Sequence, residues 1–300
     1  MASAMAAFSV LNALAVRGAR YRAIARRNIL MTSTTLGMQI CAGLLGFEVG
    51  GLIMGFAVGQ IVGAASLLFG SRLSSSDATA ARQLSLIVKA LRRHRTVPTL
   101  LALAGAMNAL GLQAPVLLIA HYYSSDVVGW FGLTQRVLAA PIALIGLSVA
   151  QVYLSEIARS RRESSGREQH QFWTATKALS LVGLALATGL AALGPAVFVS
   201  LFGSDWRVSG EFARILSIAL AAQLLASPLA QTLIIFERNR AQLVWDASRL
   251  VVVSTAVSLG AIYSPTAHVA VIALSASLTV MYLIQWNMSR VVIARSSRRV

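Results

Sequence analysis

Ten polar or charged side chains interrupt the long apolar runs of this chain: Gln39, Gln60, Asn108, Gln113, Gln135, Arg136, Gln151, Gln223, Gln231 and Gln285. A cation at mid-depth in a bilayer costs on the order of 2.5–3.5 kcal/mol on insertion scales, so Arg136 calls for water, an anion or a partner. With Gln135, Gln113 and Asn108 it forms the candidate substrate-binding set. The alternative role for Arg136 is a snorkelling anchor near the outer interface. Asp246 and Arg249 stand three residues apart near a helix end, where a structural ion pair accounts for both. Enzyme chemistry finds no support. His94, His121, His170 and His268 are scattered, without the HExxH spacing of a zinc protease. The stretch Gly146–Ala150 falls short of a nucleophile elbow because it ends in alanine and lies within an apolar run. No glycine-rich phosphate loop occurs, and the single Cys41 excludes a disulfide framework or a cysteine metal site. No catalytic residue, metal site or cofactor is expected.

The elements that must position these residues follow from composition. Apolar residues make up 57% of the 300, against about 45–50% in soluble domains. Charged residues fall to 12%, where about 25% is usual. A soluble shell cannot be built from so few charges, so the chain reads as an all-α, polytopic membrane protein. A crossing needs about 20 apolar residues. Nine runs qualify: 1–16 (short), 28–47, 50–70, 98–120, 130–154, 173–202, 213–236, 243–263 and 268–289.

Net charge is +16, which in a soluble protein would suggest nucleic acid. Its distribution suggests topology instead. The segments Arg17–Arg27, Ser71–Val97, Glu156–Gln171, Glu237–Arg240 and the tail from Arg290 hold 21 of the 26 basic residues. The alternate connections hold only Arg207, together with Glu48, Asp126, Asp205 and Glu211. This is the positive-inside pattern of a multi-pass protein of the bacterial inner membrane, and it removes the case for nucleic acid.

Four further features bear on organisation. Within 71–97, SSSD (Ser74–Asp77) supplies helix-capping chemistry, and Leu84, Ile87, Val88 and Leu91 form a stripe flanked by Arg82, Lys89, Arg92, Arg93 and Arg95. That predicts an amphipathic linker helix on the anionic lipids of the inner leaflet. Gly51, Gly55, Gly59 and Gly63 recur every four residues, the spacing that lets two helix backbones pack closely. Pro115, Pro141, Pro195 and Pro228 fall in four of the later spans, where they predict kinks of the sort transporters use. Finally, RYRA (Arg20–Ala23) and RNRA (Arg238–Ala241) lie 218 residues apart, each before a hairpin with a very short outer turn. The echo predicts two related lobes: residues 1–70 as half of a first lobe, 71–97 as the linker, and 98–300 as a complete six-helix second lobe. The uncharged start ahead of Arg17 agrees, and the expectation is that three further spans precede Met1.

The stretches Val127–Arg159, Leu201–Leu216 and Ser227–Leu243 together resemble the oligosaccharide flippases of polysaccharide biosynthesis, in the superfamily that also holds multidrug antiporters and lipid II flippases. The resemblance implies two six-helix lobes around a central cavity that move a polyprenyl-diphosphate-linked glycan outward for surface polysaccharide such as O-antigen, exopolysaccharide or capsule. Gln135–Pro141 is similar to the eighth-helix segment of lipid II flippases, whose arginine faces a cationic cavity; carried over, that role falls on Arg136. Guanidinium suits a diphosphate because its planar fork binds two oxygens at once. Polysaccharide polymerase or glycosyltransferase partners are implied in the same way. Two other readings remain: a cation-coupled multidrug antiporter of the same superfamily, which would want a buried carboxylate, and a truncated non-transporting remnant or assembly partner.

Overall fold

In a computed structural model the described residues are 21–46, 49–70, 96–162 and 166–296. The run 1–16 and the amphipathic segment around Leu84–Leu91 lie outside them. The described residues are helical with no strand, as a bilayer requires: no water is available there, so each backbone N–H and C=O must be satisfied within its own segment. The chain divides into two compact units, Met1–Arg93 and His94–Val300.

In the first unit, α1 (Tyr21–Leu44) and α2 (Val49–Gly70) form an antiparallel hairpin. Its turn uses Gly46 at φ 75°, a left-handed conformation that glycine adopts without strain. The glycine stripe of α2 lies on α1. A Cβ on Gly63 would stand 3.1 Å from Met31 Cβ, one on Gly55 would stand 2.7 Å from Gln39 Cγ, and one on Gly59 would overlap the Thr35 hydroxyl. Thus 31, 35 and 39 on one helix meet 63, 59 and 55 on the other, a ladder with a four-residue step. Gly51, Gly55, Gly59 and Gly63 are all buried.

The second unit comprises α3 (Thr96–Tyr122), α4 (Ser125–Pro141), α5 (Leu147–Arg162), α6 (Glu168–Phe202), α7 (Arg207–Leu229), the short α8 (Gln231–Ile235), α9 (Asn239–Tyr263) and α10 (Ala267–Ser296). Among the described residues, five stretches are long and apolar enough to cross a membrane: Ser125–Ile157, Glu168–Phe202, Ser204–Ile235, Asn239–Tyr263 and Ala267–Ser296. The chain is a multi-pass membrane protein. Helix α7 is central, packing on α6, α10 and α4, while α9 packs on α3 and α10. The main core joins Ile119, Phe131, Phe198, Phe212, Val257 and Leu274 from six helices.

Most helix ends extend beyond the apolar runs, although α1 stops at Leu44 rather than 47. Helix α1 begins at Tyr21 rather than 28, α5 continues to Arg162, and α10 continues to Ser296. Long basic side chains reach water from the last turns, so the helix outlasts its hydrophobic stretch. The prolines act unequally. Pro141 ends α4 and is followed by a single widened π turn, Ile142–Gly146, before α5 continues the same crossing. Pro228 precedes the break between α7 and α8, whereas α3 and α6 continue through Pro115 and Pro195. At Pro195 the contact with α7 is so close that a Cβ on Gly210 would collide with the Pro195 Cα.

Buried hydroxyls fasten the helices. Thr134 donates to Ser209 O at 2.8 Å and Ser209 donates back to Trp130 O at 3.0 Å, which ties α4 to α7. Ser275 donates to Ile215 O at 2.7 Å, which ties α10 to α7. Where two surfaces are equally apolar to lipid, such bonds and close backbone contacts supply the specificity of packing.

Candidate functional site

Two polar sites occupy the second unit, and they differ in how their hydrogen-bonding groups are used. The first is a cleft of about 210 Å³ between α3, α4, α7 and α10. Its polar lining residues are Gln113 on α3, Gln135 on α4 and Gln223 on α7; the walls are aliphatic, among them Leu112, Leu138 and Leu220. None of the three amides makes a hydrogen bond to a described residue. Gln113 is exposed and Gln135 and Gln223 are half-buried, so the three amides are open to the cleft rather than sealed in the core. Three on one cleft therefore mark a place where water or a ligand completes the bonding. Ile142, the first residue of the π turn, also lines the cleft, so the irregularity after Pro141 borders the site. Single π turns inside helices recur at functional positions.

The second site is a cluster around Arg249, which is 4% exposed at its side chain. Its Nη2 donates to Asn108 Oδ1 at 2.8 Å and to Asn108 O at 3.2 Å, and Nη1 donates to the Tyr282 hydroxyl at 3.4 Å. The guanidinium carbon lies 4.9 Å from the centre of the Trp245 ring, and the Trp245 indole N–H donates to Met281 O at 2.8 Å. Asp246 Oδ1 stands 3.9 Å from Nη2, an ion pair longer than a hydrogen bond, while Oδ2 accepts from Gln242 Nε2 at 3.1 Å. Gly111, one turn on from Asn108, leaves room for the guanidinium; a Cβ there would be 2.9 Å from Nη2. The cluster joins α3, α9 and α10.

The four residues nominated from the sequence thus separate. Gln113 and Gln135 share the cleft. Asn108 is bound to Arg249. Arg136 follows Gln135 by one position, about 100° around the helix, and does not line the cleft. Its side chain is exposed, and among the described residues it makes no ion pair or hydrogen bond. Sequence reasoning recorded Gln223 without selecting it, and it left Arg249 as half of a simple pair. The signals that could have found them are modest: a third glutamine in the middle of a span, and an asparagine able to serve an arginine on another helix.

At the far end of α7, Glu211 lies between Arg207 Nε at 3.5 Å and His268 Nε2 at 3.0 Å, which ties the start of α10 to α7. No group of three or more metal-ligating side chains occurs among the described residues.

Comparison with known proteins agrees with this architecture. The inward-facing conformation of a multidrug resistance MATE family transporter of the MOP superfamily superposes with a TM-score of 0.73 at 14% identity, over 92% of this chain and 66% of that one. MATE in the bent conformation gives a TM-score of 0.63 at 16% identity, over 91% of this chain and 64% of the other. At these identities the likeness concerns the fold. In sequence, the teichuronic acid biosynthesis protein TuaB of Bacillus subtilis (strain 168) is 25% identical over 144 residues, which is 48% of this chain and 30% of TuaB. The chain therefore aligns with less than a third of TuaB and with about two thirds of each MATE chain. The family model described as polysaccharide biosynthesis protein matches residues 3–211, and the chain belongs to that family.

Proposed function

We propose that the chain is part of a bacterial inner-membrane flippase that moves a polyprenyl-diphosphate-linked oligosaccharide outward for surface polysaccharide assembly. The observation that carries this reading is the cleft of three unpartnered glutamine amides in a member of the polysaccharide biosynthesis family. Amides both donate and accept, which suits the mixed hydroxyl and acetamido surface of a sugar, and aliphatic walls suit the apolar faces of its rings. At about 210 Å³ the cleft is smaller than the roughly 300–1,000 Å³ of a drug-sized site, so it seats one portion of a glycan rather than the whole. Arg136, a neighbouring cation without a partner among the described residues, takes the diphosphate.

The multidrug antiporter reading is weaker. A cationic drug wants a free carboxylate at its site, and none lines the cleft. Asp246 is buried beside Arg249 and bonded to Gln242.

The test is polysaccharide export in a strain that depends on this gene, with membrane protein levels matched. Gln135→Leu combined with Gln223→Leu is expected to cut export while leaving thermal stability at or above that of the parent, because these amides bond to no described residue. Arg136→Ala is expected to abolish export, and Arg136→Lys to restore it poorly, since lysine keeps the charge but loses the fork. Normal export by Arg136→Ala would make the residue an interface anchor. Normal export by the glutamine pair, with drug efflux lost, would favour the antiporter.

A further inference from the structure

A second cavity, of about 340 Å³, opens where α6 begins and α10 ends. Its lining includes Gln169, Phe172 and Trp173 from α6 with Arg290 and Arg295 from α10, and no acidic side chain. Arg290 is held by an aromatic platform, while Arg295 stands exposed at the rim. Arg290 places its guanidinium carbon 5.5 Å from the centre of the Trp286 ring. Trp286 in turn stacks on Phe172 at 6.4 Å and meets Trp173 edge-on at 6.0 Å. Phe172 is fully buried, so the aromatic platform is anchored in the core, while Trp173 is 37% exposed and faces outward.

This combination selects an anion with an apolar attachment. Two guanidiniums and no carboxylate line the crevice, although Glu168 precedes Gln169, and this lining favours negative charge; Gln169, in the first turn of α6, adds an amide near the positive end of a helix dipole. Tryptophan settles at the boundary between headgroups and acyl chains, so its presence sets the depth of the crevice at a membrane interface. The same end of the bundle carries Arg167, Arg238 and Arg240, all exposed. Farther along, α6 exposes Leu181 and Leu184 and α10 exposes Leu283 and Ile284, apolar surface against which acyl chains pack.

We propose that this crevice is a binding site for an anionic phospholipid, with the lipid phosphate between Arg290 and Arg295 and its glycerol against Trp173. The site is separate from the glutamine cleft and stands whatever the transported cargo is.

Native mass spectrometry of the full chain in detergent, titrated with phosphatidylglycerol or phosphatidylethanolamine of matched acyl chains, tests the proposal. The parent should bind phosphatidylglycerol preferentially. Arg290→Gln combined with Arg295→Gln should weaken that preference by about five-fold for each guanidinium removed. Arg238→Gln combined with Arg240→Gln removes the same charge at the same end of the bundle and should leave the preference intact. Thermal unfolding establishes that both double variants are folded. Equal binding of the two lipids by the parent, or equal losses in the two double variants, would overturn the site in favour of diffuse surface charge. Displacement of the lipid by millimolar inorganic phosphate alone would overturn it in favour of a free-anion site.

Discussion

Replacing Arg249 with methionine removes one partner of a buried charge pair and leaves the other behind. Asp246 is 3% exposed at its side chain, and without the guanidinium it keeps a single hydrogen bond, from Gln242. Breaking a buried pair from one side costs about 3–5 kcal/mol, because the surviving charge stays desolvated and unpaired. The same substitution leaves the Asn108 carbonyl groups without their donor, and hydrogen bonds to a charged group are worth about 1.5–3 kcal/mol each. These contributions overlap, so the expected loss is about 4 kcal/mol. Removing both charges, as Arg249→Met with Asp246→Leu, should recover most of it, since apolar replacements of a buried pair are often neutral or stabilising. The cycle is completed by Asp246→Leu alone, which strands a buried guanidinium that still holds Asn108 and Tyr282 and should therefore be the milder single variant. Reversible unfolding in mixed micelles, read by tryptophan fluorescence, gives the four free energies. Trp245 lies against Arg249 and reports on the site itself. If Arg249→Met costs less than about 1 kcal/mol, or if the double variant is no more stable than Arg249→Met, then Arg249 and Asp246 are not energetically coupled. The cluster would then be a packing feature.

Other outcomes follow from the same geometry. Gly111→Leu places a side chain where the guanidinium of Arg249 lies and should destabilise by about 2–4 kcal/mol in the same unfolding assay, an effect that shrinks in the Arg249→Met background. Gly59→Leu should separate α1 from α2, because a Cβ there meets the Thr35 hydroxyl; trypsin should then cleave the first unit at detergent concentrations that the parent resists. Thr134→Val combined with Ser209→Ala removes the reciprocal bonds between α4 and α7 and should cost roughly 1–2 kcal/mol. Reporter fusions after Ser124 and after Ser165 should give opposite signals, as the basic-residue distribution requires; identical signals would refute the topology.

The helices among the described residues were legible because a bilayer imposes one requirement on all of them, an apolar run of sufficient length. Their ends were not, because the criterion stops at the first cluster of charge, whereas Arg26, Arg27, Arg159 and Arg295 continue the helices on which they sit. The glycine ladder of α2 could be read from its spacing, but its partner side chains could not. Nothing in the run from Met31 to Gln39 distinguishes the face that meets α2 from the face that meets lipid.

The same difficulty limits the site. In a soluble helix the polar face is the outer one, and periodicity reveals which residues turn inward. In a membrane helix both faces are apolar, so a polar side chain announces itself without saying where it points. Asn108 and Gln113 are five residues apart on α3, yet the first is consumed by Arg249 and the second faces a cleft. A hydrogen-bond inventory separates them where sequence does not. The cluster around Arg249 bonds across three helices of the protein itself and holds α3, α9 and α10 together, although Arg249 Nε and Asp246 Oδ1 stay buried without a hydrogen-bond partner. Gln113, Gln135 and Gln223 bond to no described residue, and they are exposed or half-buried rather than sealed in the core. Polar side chains that bond to no described residue need another reason to gather at one cleft. A hydroxyl-rich ligand between aliphatic walls supplies one, and it requires that replacing these glutamines by leucine leave the protein at least as stable while depriving it of function.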